Sequence, residues 1–215
     1  MRQKMKIKWL GQATFVIESK DILVTDPYNP MLGKLPKDLT ASVITVSHPH
    51  MDHNYVKGIG GNPQIIKEVG SFKIGGFEIK GIPTFHDNIE GKKRGNNVVY
   101  VIRSEGITLC HLGDLGHALN EEQLKEIGPV DILMIPVGGT VTIGPAEAVE
   151  VVSRIKPKIV LPMHYKAGRS LIPLPLATVD KFTNALGWAI EEVDELEIDQ
   201  TTINSFDSQV IVFQR

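Results

Sequence analysis

Residues 42–46 read SVITV, an apolar run without polar alternation, and the chain passes from it straight into His48-Pro49-His50-Met51-Asp52-His53. This pair of neighbours restricts the fold more than any other feature. A strand that is apolar on both faces must be covered on both faces. The loop after it packs three of the chain's seven histidines and a carboxylate into six residues, so it must emerge where polar side chains can meet. The strand therefore belongs inside a layered sheet, with the chemistry at its end. Imidazole nitrogen and carboxylate oxygen are ligands for Zn²⁺ and for the borderline ions Mn²⁺ and Fe²⁺, and four of them in one loop make that loop a chelate. A turn after a strand can aim alternate residues at different points, His48 and His50 at one ion and Asp52 and His53 at another. The competing account, a surface loop that collects stray metal, requires no matching ligands elsewhere.

Matching ligands are present. His86 follows Ile82-Pro83-Thr84-Phe85, Asp114 lies in Leu112-Gly113-Asp114-Leu115-Gly116, and His164 lies in Leu161-Pro162-Met163-His164-Tyr165. Each stands where an apolar run stops. Singly they read as turn residues or satisfied core histidines; beside the histidine loop they read as a ligand set.

The remainder fits a sheet-rich chain. Short β runs at residues 6–10, 14–18 and 22–25 suggest a meander. Further strands are expected at 64–69, at 72–74 and 77–79 across a Gly75-Gly76 hairpin turn, at 98–102 and at 107–112. Asn120 can cap a helix running through Ile127, which Gly128-Pro129 ends, and residues 131–135 read as a buried strand. A second helix starts at Thr142 or Gly144 ahead of Pro145, with Ala146, Val149, Val152 and Ile155 on one face, and Pro157 stops it. A strand at 158–162, a helix at 176–186 and two or three strands between 188 and 213 follow. This order suggests a layered α/β arrangement, with helices outside packed sheets and metal ligands along one edge.

Composition sets the class of partner. Of the 215 residues 42% are hydrophobic and 22% charged, which suits one globular domain over residues 1–215. A formal net charge of −2 gives no electrostatic reason to expect a nucleic acid or an anionic membrane, so a small-molecule substrate is expected. No apolar stretch has signal-peptide or membrane-spanning character. Cys110 is the single cysteine and sits in an apolar run, so it reads as core, and the expectation is a cytoplasmic protein. Self-association is left open.

The order H-x-H-x-D-H, then His, then Gly-Asp, then His resembles the metallo-β-lactamase fold superfamily over most of the chain. Thr25-Asp26-Pro27-Tyr28, Gly138-Gly139-Thr140 and Pro162-Met163-His164-Tyr165 are similar to its branch of small metal-dependent hydrolases that includes ascorbate-6-phosphate lactonase. The resemblance implies an α/β fold, a four-layer αββα sandwich with the metal site on one sheet edge. It implies two divalent metal ions, zinc first and manganese or iron as alternatives. His48, His50 and His86 would hold one ion, Asp52, His53 and His164 the other, and Asp114 would bridge them. A carboxylate suits the bridge because it has two oxygens, where an imidazole offers a metal one nitrogen. The implied reaction is hydrolysis of an ester, lactone or phosphodiester by a water bridging the ions, its pKa lowered to about 7. Asp52 and Asp114 are the candidate catalytic carboxylates, and the leaving group would take its proton from Asp114, solvent or His117.

Around this set, Asp26 either orients the histidine loop or is a plain turn aspartate before Pro27. His111 and Asp114, three residues apart in a strand-like run, point to opposite faces, so His111 reads as structural or supporting. His117 is either solvent-exposed or within reach of substrate. Arg94, Asn96, Gly139, Thr140 and Tyr165 are candidate supporting or substrate-contacting residues, with turn chemistry as the alternative for the glycines. Two other functions compete. One is a metal-bound module that senses a ligand without turnover; the other is a di-iron oxidoreductase, which the resemblance associates with a glutamate where this chain has His50.

Overall fold

The structure is a computed structural model that describes residues 4–167 and 174–214. Its first half is built of strands, with one short 3₁₀ turn among them: β1 (Met5–Gly11), β2 (Thr14–Glu18), β3 (Ile22–Thr25), β4 (Val43–Thr45), β5 (Gln64–Ile66), β6 (Gly70–Ile74), β7 (Phe77–Phe85), β8 (Asn96–Ser104) and β9 (Ile107–His111). The second half interleaves α1 (Glu121–Ile127), β10 (Ile132–Pro136), α2 (Pro145–Ile155), β11 (Ile159–Met163) and α3 (Val179–Leu186). It ends in β12 (Ala189–Val193), β13 (Leu196–Ile198) and β14 (Gln209–Phe213). One sheet has the order β13-β1-β2-β3-β4-β5, the other β12-β14-β11-β10-β9-β8-β7-β6.

Side-chain alternation explains why the sheets stack. Val98, Tyr100 and Ile102 of β8 enter the inter-sheet core with Phe15 and Ile17 of β2, while Val99 and Val101 turn to the opposite face. In β9, β10 and β11, Leu109, Met134 and Leu161 point into that core. Their neighbours Cys110, Leu133 and Val160 instead pack with Ala148, Val151 and Val152 of α2 and Phe182 of α3. These strands are apolar on both faces because both faces are covered. The outer face of the six-stranded sheet, including Val16, Val24 and Ile44, packs with Leu35, Leu39, Ala41 and a single 3₁₀ turn, Val56–Gly58. The result is the expected mixed α/β sandwich, with α2 and α3 on the eight-stranded sheet.

Some boundaries differ from the sequence reading. The buried stripe of α2 is Ala148, Val151 and Val152, with Val149 and Ile155 partly buried, whereas Ala146 is exposed. Gly144 is the N-cap, and Glu147 accepts its N–H at 3.1 Å. The helix expected from residue 176 begins at Val179, because the main chain before it is engaged elsewhere: Ala177 N–H bonds Gly138 O and Lys166 N–H bonds Ala177 O. β5 stops at Ile66, while β7 runs on to Phe85 through its long pairing with β8.

Strand direction then positions the site. β3 and β4 are parallel, as are β9, β10 and β11, and β7 shares the direction of β9 through the antiparallel β8. Their C-terminal ends form a rim in each sheet, the place where open α/β sheets bind ligands.

Candidate metal centre

His48 follows β4, His86 follows β7, Asp114 follows β9 and His164 follows β11. The two rims bring them together. Ligand atoms of His48, His50 and His86 lie within 4.8 Å of one another, and so do those of Asp52, His53, Asp114 and His164. Asp114 Oδ2 is 3.2 Å from His86 Nε2, 3.8 Å from His48 Nε2 and 3.6 Å from His164 Nε2, while Oδ1 is 3.3 Å from His53 Nε2. The carboxylate thus faces both groups. Asp52 Oδ2 lies 3.5 Å from His53 Nε2 and 3.8 Å from His164 Nε2.

The donor set fits divalent cations. His48 Nε2, His53 Nε2, His164 Nε2 and Asp114 Oδ1 are buried and make no hydrogen bond among the described residues. A buried polar atom in that condition costs about 1–3 kcal/mol, and four converging atoms would make a poor packed core. Mixed imidazole and carboxylate suits zinc, manganese or iron better than the oxygen shells of calcium. Ionisation agrees. Burial works to raise the Asp52 and Asp114 carboxyls, but the surrounding imidazoles hold both well below the ordinary range. His48 is pushed down to about 3 by burial and then by His53, and burial lowers His86 as well. Neutral imidazole is the metal-binding form. For His53 and His164 burial is outweighed, chiefly by Asp114, and both are raised. The carboxylate charge that would keep protons on these rings is the charge that would attract cations.

Asp26 underpins the histidine loop. Its Oδ1 accepts the Ser47 N–H at 2.7 Å, and its Oδ2 accepts the Ser47 hydroxyl at 2.6 Å and His53 Nδ1–H at 2.9 Å. Ser47 Oγ in turn lies 3.0 Å from His48 Nδ1, which donates to it. Protons are thereby fixed on the Nδ1 atoms of His48 and His53, leaving Nε2 bare. Asp26 is buried, yet its pairing with His53 keeps its carboxyl below the usual range against that burial. Asp26 (φ 37°) and His164 (φ 51°) both hold left-handed backbone, at a cost on the order of 1–3 kcal/mol each.

Three positioning residues went unnoticed in the sequence: Ser47, Asn97 and Asp87. Asn97 Nδ2 donates to Thr84 Oγ1 at 2.7 Å and Leu112 O at 3.0 Å, while its Oδ1 accepts Asp114 N–H at 2.9 Å. Asp87 Oδ1 accepts the N–H groups of Ile89 and Gly91, and Oδ2 those of Lys93 and Arg94, at 2.7–2.9 Å. Burial opposes the ionised form, but these bonds hold its carboxyl down at about 2. The one hint was an aspartate opening a glycine-rich turn directly after His86.

The other candidates divide. Arg94 and Thr140 meet: Arg94 Nη2 donates to Thr140 O at 3.2 Å, and both line a cleft of about 350 Å³ together with His86. Asn96 instead lies on another flank, exposed in a groove with His48 and Pro49; its neighbour Asn97 makes the contact to Asp114. Gly139 (φ 70°) makes a turn, and its N–H is taken by Ile143 O. Gly138 is the position of close approach, since a Cβ there would lie 2.1 Å from His164 O. His117 lines the cleft with both nitrogens engaged: Nε2 accepts Phe85 N–H at 3.1 Å, so Nδ1 carries the proton and donates to Ala118 O at 2.8 Å. Tyr165 stacks on Trp9 with centroids 5.0 Å apart. His111 Nε2 donates to Ala13 O at 2.9 Å and lies outside both ligand groups. Cys110 is buried, and burial pushes its thiol up.

Comparison with known proteins bears on the same residues. A family model described as a beta-lactamase superfamily domain matches residues 6–164. A UPF0173 metal-dependent hydrolase of Thermococcus onnurineus is 33% identical, the match covering 75% of this chain and 84% of the relative. Another from Carboxydothermus hydrogenoformans is 30% identical, covering 90% and 99%. The crystal structure of a Thermotoga maritima protein, presented as a candidate Zn-dependent hydrolase of the metallo-beta-lactamase superfamily, has 38% identity and a TM-score of 0.80, covering 98% of this chain and 100% of that one. This chain therefore belongs to the beta-lactamase superfamily and, within it, to the UPF0173 metal-dependent hydrolase family.

Proposed function

We propose that the protein is a hydrolase that uses two divalent metal ions on an ester, lactone or phosphodiester of a small molecule. The observation that carries this reading is the convergence of the bare His48, His53 and His164 Nε2 atoms and Asp114 Oδ1. The naming of its relatives as metal-dependent hydrolases supports it. In this reading His48, His50 and His86 hold one ion, Asp52, His53 and His164 the other, and Asp114 spans both. Zinc is the first expectation from the histidine-rich donor set, with manganese and iron as the other candidates. When bound, such ions supply Lewis acidity and acidify water.

The chain's own groups supply orientation and proton placement. Asp26 and Ser47 keep protons on the Nδ1 atoms of His53 and His48. Asp52, a quarter exposed where Asp114 is buried, is assigned the orientation of the attacking water. His117 has no free N–H and Asp114 is held ionised, so the arrangement favours solvent as the proton source for the leaving group. No helix among the described residues is long and apolar enough to cross a membrane. With the lone cysteine free and buried, the cytoplasm is the location we assign.

The test is metal-stripped protein reconstituted separately with Zn²⁺, Mn²⁺ and Fe²⁺, then screened on esters, phosphodiesters and lactones, including a sugar-derived phosphorylated lactone. Metal-dependent turnover with two equivalents bound is expected, and Asp114→Ala should lose both turnover and metal. Full activity of Asp114→Ala would overturn the reading. Metal binding with no turnover on any class would favour a ligand-sensing module.

A further inference from the structure

The cleft beside His86 has a chemistry that the hydrolytic centre does not use. It is lined by His86, Arg94, His117 and Thr140, and its volume of about 350 Å³ is in the range of small-ligand pockets. Two carboxylates also stand on its wall, Asp87 and Glu147, but both are engaged with main chain. Asp87 accepts four N–H groups, and Glu147 accepts Gly144 N–H at the start of α2. Arg94 differs. Among the described residues its guanidinium makes one hydrogen bond, to Thr140 O, and has no carboxylate within ion-pair distance. Most of its five donors remain available in a cleft that starts at a candidate metal ligand.

The position of Arg94 is set in advance. Asp87 bonds the Arg94 N–H at 2.7 Å, Gly95 N–H bonds Gly91 O at 2.8 Å, and His86 N–H bonds Gly95 O at 3.0 Å. Gly91 (φ 77°) and Gly95 (φ 88°) supply the left-handed backbone that this knot requires. The main chain carrying Arg94 is therefore tied to the histidine at the cleft's inner end, and little main-chain entropy is left to lose on binding. Lys93, exposed on the same loop, adds positive field nearby, whereas Lys92 is paired with Glu90 at 3.8 Å.

We infer that Arg94 recognises an anionic group of the substrate, a phosphate or a carboxylate, seated in the cleft between His86 and the start of α2. This rests on the hydrolytic reading of the neighbouring centre and narrows it: the substrate is a small anionic ester, lactone or phosphodiester whose charged group lies a few bonds from the scissile one. A guanidinium fork binds such oxyanions in bidentate fashion, which a lysine does not reproduce.

Two measurements on the reconstituted zinc protein test this. The first compares kcat/KM for 4-nitrophenyl acetate with that for the mono-4-nitrophenyl ester of glutaric acid, which carries a free carboxylate on the acyl side. Wild type should prefer the anionic ester by about tenfold or more, the scale of a charged hydrogen bond. Arg94→Gln should erase that preference mainly through KM, and Arg94→Lys should restore part of it. The second titrates inorganic phosphate calorimetrically into wild type and Arg94→Gln, each metal-loaded and metal-free, with metal content checked in both. Phosphate affinity should fall about tenfold or more in Arg94→Gln. Unchanged ester preference or unchanged phosphate affinity in Arg94→Gln overturns the inference. If neither ester turns over, the hydrolytic reading loses its ester class alone, and the phosphate titration still decides the anion site.

Discussion

Asp26 reaches two of the candidate ligand imidazoles through their Nδ1 atoms, His53 directly and His48 by way of Ser47. Such outer partners commonly change metal affinity by about 10–100-fold when removed. Asp26→Ala should show a loss of that size in competition with a chromophoric chelator; wild-type affinity in the variant would show that the ring orientation is held by other means. Asp87 makes a prediction about pH. Its folded pKa is depressed to about 2 from an ordinary 3.8, so the stability it contributes is complete above the ordinary value and is lost as pH falls through about 2. Protection of the Ile89, Gly91, Lys93 and Arg94 amides from hydrogen exchange, relative to their intrinsic rates, should fall across that window, and in Asp87→Asn it should already be low at neutral pH. Equal protection of these amides in both proteins would contradict the knot described for this loop.

At the scale of elements, two glycines allow ligand-bearing loops to pack main chain against main chain. A Cβ at Gly116 would lie 2.4 Å from the His86–Asp87 peptide, and one at Gly138 would lie 2.1 Å from His164 O. The loops after β9 and β10 are thereby pressed against the loops that carry His86 and His164. Gly138→Ala must displace His164, which already sits in left-handed backbone, and overpacking of this kind costs about 1–3 kcal/mol. The variant should unfold at lower denaturant and bind less than two equivalents of metal, both readable in one titration series. Full metal occupancy with unchanged stability would mean that the loop yields without moving the ligand.

For the molecule as a whole, the candidate metal centre joins the two sheets. His48, His50, Asp52 and His53 come from the loop after β4 of the six-stranded sheet, whereas His86, Asp114 and His164 come from strand ends of the eight-stranded one. Ions bound across that seam stabilise only the folded state. Free metal at 100 times Kd should add about 2.7 kcal/mol per site, raising Tm by roughly 5–10 °C for each site filled in a chain of this size. A chelator should reverse the rise, and thermal unfolding with and without zinc checks it. A chelator-insensitive Tm would place the ligands' structural role elsewhere.

The sequence by itself determined the donor types, their clustering after a strand apolar on both faces, and the two-sheet α/β class. These are legible because ligand chemistry resides in single side chains and strand burial in local apolar runs. Tertiary structure alone decided which neighbours support the ligands. Asn97 rather than Asn96 reaches Asp114, Gly138 rather than Gly139 meets His164, and α3 begins three residues late because Ala177 bonds Gly138. Each of these relations is a distance between residues far apart in the chain. Local pattern carries no record of such distances; they exist only once the sheets have brought the strand ends to one rim.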